Sequence, residues 1–325
     1  MRAVVCHEYG HPKHLVLEER PDPVPGDGQV LVSVEACGVN FVDALMAQGL
    51  YQVKVPVPYV PGSEVAGRVA ELGPGVEGIA VGDPVLAMMG VNGFAEKVAV
   101  SAKGALPIPE GVDMPTAACL LQSYCTGLFA LTRRAQVREG ETILILGAAG
   151  GVGLAAIDLA KALGARVIAA ASSEEKLALC RERGADETID YGREDLKNRA
   201  KELSGGGVDL VYDPVGGDYA EPALRACAPG ARYLVIGFAT GEIPRVPFNL
   251  ILLKSCQVVG VDWGGWTGRE PGGNRVLLEE FAGLLASGKL RPAPPATFPL
   301  SEAGSVLTAL VERRLAGKAV LLPGA

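Results

Sequence analysis

The stretch that decides the fold is Glu141–Leu163, with the sequence ETILILGAAGGVGLAAIDLAKAL. Its first part is a short apolar run that predicts a buried β-strand, and its last part has the apolar spacing of a helix. Four glycines lie between these two parts: Gly147, Gly150, Gly151 and Gly153. Glycine at such a junction lets the chain turn tightly and lets its backbone approach a phosphate, which the amino end of a helix also attracts. The order of strand, glycines and helix predicts a dinucleotide-binding βα unit, and a turn that serves only packing is the alternative.

Strands and helices continue to alternate on both sides of this stretch. A helix from Pro115 to about Arg134 precedes it, and helices are predicted downstream at 151–164, 174–183, 194–203 and 219–226. The predicted strands between and after them are RVIAAA, Ala185–Ile189, VDLVYD, ARYLVIG and QVVGVDW. Strands separated by helices of about 10 residues indicate right-handed βαβ units. We therefore expect an α/β fold with a doubly wound parallel sheet, followed by a helix over Asn274–Ser287 and a last strand, KAVLLP.

Residues 1 to about 110 have a different rhythm. The segments QVLVSVEACGV, SEVAGRVAELG and GFAEKVAV are apolar or alternating, and proline and glycine bound them. This pattern predicts a mostly antiparallel β domain with irregular loops. Because the last strand is expected to return to this domain, the sequence predicts a first domain at 1–122, completed by 266–325, and a second domain at 123–265.

Composition and charge exclude several classes of function. The 325 residues carry a net charge of −7, so a nucleic-acid partner is not expected, since phosphate binding needs a basic surface. No apolar stretch reaches the roughly 18 residues of a membrane-spanning helix, and no signal peptide is expected. The 7 cysteines are scattered without a CxxC pair, which favours buried, reduced thiols and a cytoplasmic protein.

The end of the strand RVIAAA discriminates between the two nicotinamide cofactors. NAD-binding chains usually place Asp or Glu there to bind the ribose 2′-hydroxyl, whereas this strand ends in Ala171 and Ser172. A hydroxyl and an ammonium group, from Ser172 and Lys176 with Tyr191 nearby, would instead favour the 2′-phosphate of NADPH. Two alternatives remain: Ser172-x-x-Glu175 also matches a capping box, and Lys176 also suits a solvated helix position.

Seven segments follow one another in order across both predicted domains: CGVNFVDALMAQGLY, PYVPGSEVAGRV, GDPVLA, AAGGVG, DYGREDL, VDLVYDPVGG and GKAVLLP. In these segments the chain resembles the zeta-crystallin-like quinone oxidoreductases of the medium-chain dehydrogenase/reductase superfamily. The resemblance implies a catalytic domain similar to GroES, a Rossmann domain that binds NADPH, an active site in the cleft between them, and a homodimer. The apolar strand QVVGVDW near the sheet edge also favours a dimer.

Site residues follow in part from this resemblance. It implies that Asn40 and Tyr51 flank the nicotinamide, where their donors would act on the acceptor, and that the hydroxyl of Thr126 faces it. The alternatives are a turn residue, a loop tyrosine and a helix threonine bonded to a carbonyl. Six more cofactor-binding residues are predicted at the glycine turn and at strand ends, where an open α/β sheet holds its ligand: Gly150, Gly151, Val152, Val215, Gly237 and Phe238.

The resemblance also bears on metal binding. In the zinc-dependent branch of the superfamily, a cysteine stands at the position of Asn40 and a histidine at that of Ser63, and a four-cysteine lobe follows Gly82-Asp83. This chain lacks those ligands, and its three histidines lie within the first 14 residues. We therefore expect no zinc. Without a metal, a conjugated acceptor such as a quinone is easier to reduce than a simple carbonyl.

Three hypotheses for the function remain open. Hydride transfer from NADPH to quinones leads, and reduction of α,β-unsaturated carbonyls, including enoyl thioesters, is the second. The third is an NADPH-binding protein with little catalysis, of the crystallin-like or RNA-binding kind, although the net charge of −7 disfavours RNA. Other polar or reactive residues are expected to serve structure: Asp213 at a strand end and Cys125 in packing. Trp263 and Trp266 either line a substrate pocket or pack.

Overall fold

The computed structural model describes residues 1–324, and the chain forms two compact units. Unit 1 comprises Met1–Gln122 and the residues from Ala293 onward, and unit 2 comprises Ser123–Pro292. Residues 266–292, which the sequence assigned to the first domain, thus lie in unit 2. Aromatic packing gives the reason, because the rings of Trp266 and Phe129 lie 4.7 Å apart and those of Phe281 and Tyr124 lie 5.7 Å apart.

The amino-terminal part of unit 1 consists mainly of β-strands. Its strands are β1 (Arg2–Val5), β2 (Val16–Glu19), β3 (Gln29–Val39), β4 (Glu64–Leu72), β5 (Pro84–Met88), β6 (Lys97–Ser101) and β7 (Ala105–Pro107). Its α-helices are α1 (Phe41–Ala47) and α2 (Met114–Ala117). The strands follow the alternating segments of the sequence, since β3 turns apolar side chains such as Val30 and Val32 into the core.

Unit 2 is a sheet of six parallel strands with helices between them. Two π-helical segments, Leu121–Cys125 and Phe129–Arg134, flank α3 (Thr126–Leu128). The strands are β8 (Thr142–Leu146), β9 (Arg166–Ala171), β10 (Glu187–Asp190), β11 (Val208–Asp213), β12 (Cys227–Val235) and β13 (Gln257–Gly260). The helices are α4 (Gly151–Ala162), α5 (Glu174–Glu182), α6 (Leu196–Ser204), α7 (Ala220–Ala226), α8 (Phe248–Lys254), α9 (Trp263–Arg269) and α10 (Pro271–Ala286). The order β10-β9-β8-β11-β12-β13 confirms the predicted doubly wound Rossmann sheet.

The chain then returns to unit 1 and completes its sheet. The last elements are β14 (Ala296–Pro299), α11 (Ala303–Val311) and β15 (Ala319–Leu322). The seven-stranded sheet has the order β14-β15-β3-β4-β5-β7, with β6 also paired to β3, and only β14 and β15 run parallel to each other. The predicted mostly antiparallel domain is confirmed, although the sequence did not predict α8, α9, β14 or α11.

Close packing around α4 fixes the helix that opens unit 2. The hydroxyl of Tyr124 donates to the carboxylate of Asp158 on α4, and Arg183 Nε donates to the same carboxylate over 3.0 Å. A Cβ at Gly127 would lie only 2.7 Å from Leu159 Cδ1, so the two helices approach through a glycine. Within residues 1–324, no helix is long and apolar enough to cross a membrane.

Candidate functional site

The glycine turn of unit 2 brings β8 against the end of β11. Gly147 has a φ of +55°, and a Cβ there would lie 2.7 Å from Val215 Cγ2. A Cβ at Gly153 would lie 2.6 Å from the carbonyl oxygens of Gly147 and Ala148. Both positions therefore require glycine, which lets the first turn of α4 fold against the loop. The turn lies where the strand order reverses, which is the ligand position in an open α/β sheet.

The predicted phosphate-binding residues lie at the amino end of α4. Gly150 is the N-cap residue of this helix, and Gly151 and Val152 begin its first turn. All three are partly exposed, as a surface that receives a ligand must be. Backbone N–H groups in the first turn have no carbonyl partner within the helix, so they can bind the oxygens of a pyrophosphate.

The carboxylate of Asp213 holds the loop after β11. Its Oδ1 accepts hydrogen bonds from the N–H groups of Val215 (2.7 Å) and Gly216 (2.9 Å), and its Oδ2 accepts from the hydroxyl of Tyr233. Burial raises the pKa of Asp213, while these three donors oppose that shift. Asp213 therefore positions Val215 and has the structural role that the sequence indicated.

Gly237 and Phe238 follow the neighbouring strand and meet the same loop. The N–H of Gly237 donates to the carbonyl of Asp213 over 3.3 Å. A Cβ at Gly216 would lie 2.8 Å from Phe238 Cδ1, which places the phenyl ring beside this loop. The structure thus brings Val215, Gly237 and Phe238 together at the carboxyl edge of the sheet.

Ser172, Lys176 and Tyr191 gather at the ends of the next two strands, β9 and β10. Lys176 Nζ lies 3.4 Å from Ser172 Oγ, and the N–H of Tyr191 donates to the carbonyl of Ala171 over 3.1 Å. The Tyr191 ring packs on that of Tyr219, with 4.4 Å between the ring centres. A hydroxyl, an ammonium group and a phenol ring therefore share one edge, where β9 ends without a carboxylate.

The cap of α5 differs from the capping box that the sequence suggested. Ser173 is the N-cap residue, and its Oγ accepts from the N–H of Lys176 over 3.4 Å. Ser172 is exposed and lies before the cap. The capping-box alternative for Ser172 is therefore wrong, because the neighbouring serine performs that task.

Thr126 begins α3 between the two π-helical segments. Its side chain is partly exposed, while its neighbours Cys125 and Gly127 are buried. Helical turns of the π type often accompany functional positions, because they change which side chains face outward. Cys125 is buried, in keeping with the packing role that the sequence indicated. Trp263 is buried and its Nε1 donates to Asn274 over 3.0 Å, so this tryptophan packs.

Unit 1 contributes a buried polar cluster around Asn40, which is the N-cap residue of α1. Asn40 Oδ1 accepts from Lys318 Nζ over 2.5 Å. Asn40 Nδ2 donates to Glu64 Oε2 over 3.1 Å and lies 3.5 Å from Ser63 Oγ. Asn40 is therefore more than a turn residue, since its amide is bound on both sides.

Glu64 is the most enclosed member of this cluster, with none of its surface exposed. Its Oε1 accepts from the N–H of Leu121 over 2.7 Å, at the start of the helix that leads out of unit 1. Burial raises the pKa of Glu64, and the positive charge of Lys318 opposes that shift. The two positions compared with zinc ligands, Asn40 and Ser63, thus belong to a hydrogen-bonded network that already contains a cation.

Tyr51 lies beyond the other end of α1. Its N–H donates to the carbonyl of Leu45 over 3.3 Å, and its side chain is partly exposed. Asn40 and Tyr51 are therefore separated by a helix of 7 residues, which is about 10 Å long. The structure thus places the two predicted catalytic residues at the two ends of one short helix.

Sequence reasoning missed three members of the polar cluster: Asp43, Glu64 and Lys318. Asp43 Oδ2 accepts from the backbone N–H of Asn40 over 2.8 Å, so the spacing Asn-x-x-Asp was an available signal for a helix start. Glu64 was hidden within an apolar strand segment. Lys318 belongs to the quoted segment GKAVLLP, but its partner lies 278 residues away. No local pattern connects the two.

These features define a class before any comparison. Unit 2 has a doubly wound sheet with a glycine turn at its switch point and with hydroxyl and ammonium groups beyond β9, as in a domain that binds a nucleotide. Unit 1 is a separate β unit with buried polar groups. A chain with both units fits the class of nucleotide-dependent oxidoreductases. Comparison with family models agrees, because residues 26–110 match the alcohol dehydrogenase GroES-like domain. Residues 151–277 match the zinc-binding dehydrogenase model.

Whole-chain relatives narrow this class. The chain is 40% identical to quinone oxidoreductase-like protein 2 of Bos taurus, over 98% of this chain and 92% of that protein. The quinone oxidoreductase of Escherichia coli, whose structure is complexed with NADPH, has a TM-score of 0.90 at 30% identity, over 99% of this chain and 100% of that one. The quinone oxidoreductase of Thermus thermophilus, also solved with NADPH, has a TM-score of 0.84 at 36% identity, with the same coverage. The chain belongs to the zeta-crystallin-like quinone oxidoreductases of the medium-chain dehydrogenase/reductase superfamily.

The polar cluster predicts a pH dependence of stability that Asp43 controls. Burial raises the pKa of Asp43 from 3.8 to about 7. Because the pKa of Asp43 is higher in the folded protein than in the unfolded chain, its neutral form stabilises the fold fully below about pH 4. This stabilisation is lost as the pH rises through about 7. Asp43→Asn keeps an oxygen acceptor for the N–H of Asn40 and cannot ionise. We expect the variant to remove about 2–4 kcal/mol of the decline in unfolding free energy between pH 4 and pH 8.

Urea unfolding at several pH values measures this decline. Asp22→Asn is the control, because the hydrogen bond from Lys97 lowers the pKa of Asp22, which therefore titrates below this window. Equal slopes in the unmodified protein and in Asp43→Asn would show that Asp43 is ionised throughout the window.

Proposed function

We propose that this protein is an NADPH-dependent reductase that transfers a hydride to quinones without zinc. The observation that carries the proposal is the edge of unit 2, where Lys176 Nζ lies 3.4 Å from Ser172 Oγ beyond a strand that ends without a carboxylate. A 2′-phosphate finds an ammonium group and a hydroxyl at this edge, and β9 itself ends without an acid. The activity named for relatives such as the Escherichia coli enzyme supports the quinone as acceptor.

The residues of unit 2 fit NADPH along its length. The glycine turn offers the backbone N–H groups of Gly151 and Val152 to the pyrophosphate, and Gly150 shapes the turn, because its own N–H donates to the carbonyl of Gly147 over 3.0 Å. A side chain at Gly153 would clash with the carbonyl oxygens of Gly147 and Ala148. Val215, Gly237 and Phe238 form the neighbouring edge of the site. In this proposal the hydroxyl of Thr126 faces the nicotinamide ring. When bound, NADPH supplies the hydride. The protein's own residues bind and orient the cofactor and stabilise charge on the acceptor.

Unit 1 supplies the donors for the acceptor in this proposal. Asn40 and Tyr51 offer an amide N–H and a hydroxyl to the oxygen that gains negative charge. Zinc is not needed, because a quinone spreads this charge over its conjugated system. The ammonium group of Lys318, 2.5 Å from Asn40 Oδ1, also disfavours a divalent cation at this place through like-charge repulsion.

Reduction of α,β-unsaturated carbonyls is the second candidate, and the partly exposed Tyr51 favours it. An enone becomes an enolate, which gains more from a positioned proton donor than a hydroquinone anion does. A binding protein with little catalysis is a third class, and its RNA-binding form is disfavoured by the net charge of −7. The proposed compartment is the cytoplasm, which the burial of the seven cysteines supports.

Cofactor preference tests the first part of the proposal. Lys176→Ala removes a charge-assisted contact to the 2′-phosphate, so NADPH binding should weaken by about 1.5–3 kcal/mol while NADH binding stays within twofold. Calorimetric titration with both cofactors measures this, and Lys197→Ala on α6 controls for the loss of one positive charge. Equal affinity of the unmodified protein for NADPH and NADH would contradict the proposal.

The role of Tyr51 tests the choice of acceptor. We expect Tyr51→Phe to slow enone reduction by about 10²–10³-fold and quinone reduction by less than about tenfold, because acid assistance matters more for the enolate. The measurement is kcat/KM for NADPH oxidation with a panel of quinones and enones, in the presence of a chelator. If Tyr51→Phe changes the rate for neither substrate class, Tyr51 is a loop residue with no part in the reaction. If the chelator abolishes the activity of the unmodified protein, the zinc-independent mechanism is rejected.

We also propose a homodimer that pairs through β13. This strand is the last in the order of the unit 2 sheet, and Val258 on it is 49% exposed. The preceding helix α8 presents Phe248, Leu252 and Leu253, which are 84%, 78% and 77% exposed. An apolar helix face beside a sheet edge is an aggregation hazard unless another chain covers it. A second copy related by a two-fold axis would join the two sheets at their edges.

Light scattering of a double variant tests the dimer. Leu252→Glu with Val258→Lys places charges on the helix face and on the edge strand, so we expect a monomer at micromolar concentration where the unmodified protein is a dimer. Val24→Lys, at a valine of unit 1 that is 83% exposed, is the control and should leave the mass unchanged. A monomeric unmodified protein would reject the proposal.

A further inference from the structure

Lys318 reaches the polar cluster because of the register between the last strand and β3. Antiparallel pairing places Ala319 opposite Val39, so the preceding residue, Lys318, stands opposite Asn40. Lys318 Nζ donates to Asn40 Oδ1 over 2.5 Å and lies 3.3 Å from the carbonyl oxygen of Val39. The lysine therefore contacts both the side chain of Asn40 and the backbone just before it.

The chemistry of the neighbours determines the orientation of the Asn40 amide. The two ends of an amide have nearly the same shape, so hydrogen-bond partners decide which end carries the oxygen. Lys318 can only donate, and an ionised Glu64 can only accept. The oxygen of the amide consequently faces Lys318, and its NH₂ group faces Glu64.

One hydrogen of this NH₂ group remains weakly held. Asn40 Nδ2 is 3.1 Å from Glu64 Oε2, an ordinary hydrogen bond, but it is 3.5 Å from Ser63 Oγ, at the outer limit for one. The second hydrogen is therefore the one that Asn40 can present to an acceptor oxygen. A reversed amide would present a carbonyl oxygen instead, which repels developing negative charge.

We propose that Lys318 is a positioning residue for the reduction: it fixes the Asn40 amide in the orientation that offers an N–H to the acceptor. This inference rests on the proposed function of Asn40 as a donor. Lys318 acts in two ways, by donating to Oδ1 and by balancing the buried charge of Glu64. Its positive charge opposes the burial that raises the pKa of Glu64. Without Lys318, the oxygen of the Asn40 amide loses its donor, and that contact no longer holds the amide against reversal.

Two substitutions of Lys318 separate positioning from folding. Lys318→Met keeps the approximate length of the side chain but loses its positive charge and its hydrogen-bond donors. Lys318→Arg keeps the charge and the donors. We expect Lys318→Met to lower kcat for quinone reduction by about ten- to a hundredfold, with KM for NADPH within twofold, because a charged hydrogen bond orients the donor. Lys318→Arg should recover at least a third of the activity. Lys97→Met, which breaks an ion pair with Asp22 elsewhere in unit 1, should leave kcat unchanged.

The variant Asn40→Ala distinguishes failure of this inference from failure of the proposed function. If Asn40→Ala and Lys318→Met each slow the reaction and the double variant is no slower than Asn40→Ala, the lysine acts through the amide. If Asn40→Ala has no effect, the proposed donor role itself fails. If Asn40→Ala slows the reaction while Lys318→Met only lowers the thermal midpoint, or if the two effects multiply in the double variant, Lys318 does not position Asn40 and the inference is overturned.

Discussion

A carboxylate that has no access to water must find its donors within the protein, and Glu64 imposes this requirement on unit 1. Its two oxygens receive the N–H of Leu121 at the start of a helix and the amide of Asn40 at the start of α1. Asn40 then needs a donor for its own oxygen, which Lys318 supplies. Because Lys318 immediately precedes the last strand, the satisfaction of one buried charge depends on the return of the chain to unit 1. The polar cluster around Glu64 can therefore form only when the last strand pairs with β3 in this register.

Unit 2 uses buried carboxylates in a more local way. Asp213 binds two N–H groups of the loop that directly follows it, so a strand end and its loop form one rigid piece. Asp158 joins the opening helix to α4 through Tyr124 and to the end of α5 through Arg183. These bonds hold the edge around the glycine turn before any ligand arrives. Such preorganisation reduces the entropy cost of binding and leaves more of the interaction energy for affinity.

Local patterns predicted the fold well because the decisive signals are local. The glycines after β8 and the absence of an acid after β9 can be recognised within a few residues, and the structure brings the residues at these two strand ends together. The prediction failed where the signal is weak or distant. The sequence FNLILLK of α8 has a helical spacing, but Phe248, Leu252 and Leu253 face outward, which a rule based on burial does not anticipate. The cluster around Asn40 depends on partners such as Glu64 and Lys318, which only the sheet register brings together.

The discontinuity of unit 1 also sets an order for folding during synthesis. Ser123–Pro292 forms a unit by itself, so its sheet can close as soon as this segment has left the ribosome. At that time unit 1 still lacks β14 and β15, and the edge of β3 that pairs with β15 is open. The nascent chain thus carries a finished nucleotide-binding fold beside an incomplete β unit with an exposed, apolar strand edge. Chaperones that recognise such edges would bind the nascent chain at unit 1, because this unit is translated first and completed last.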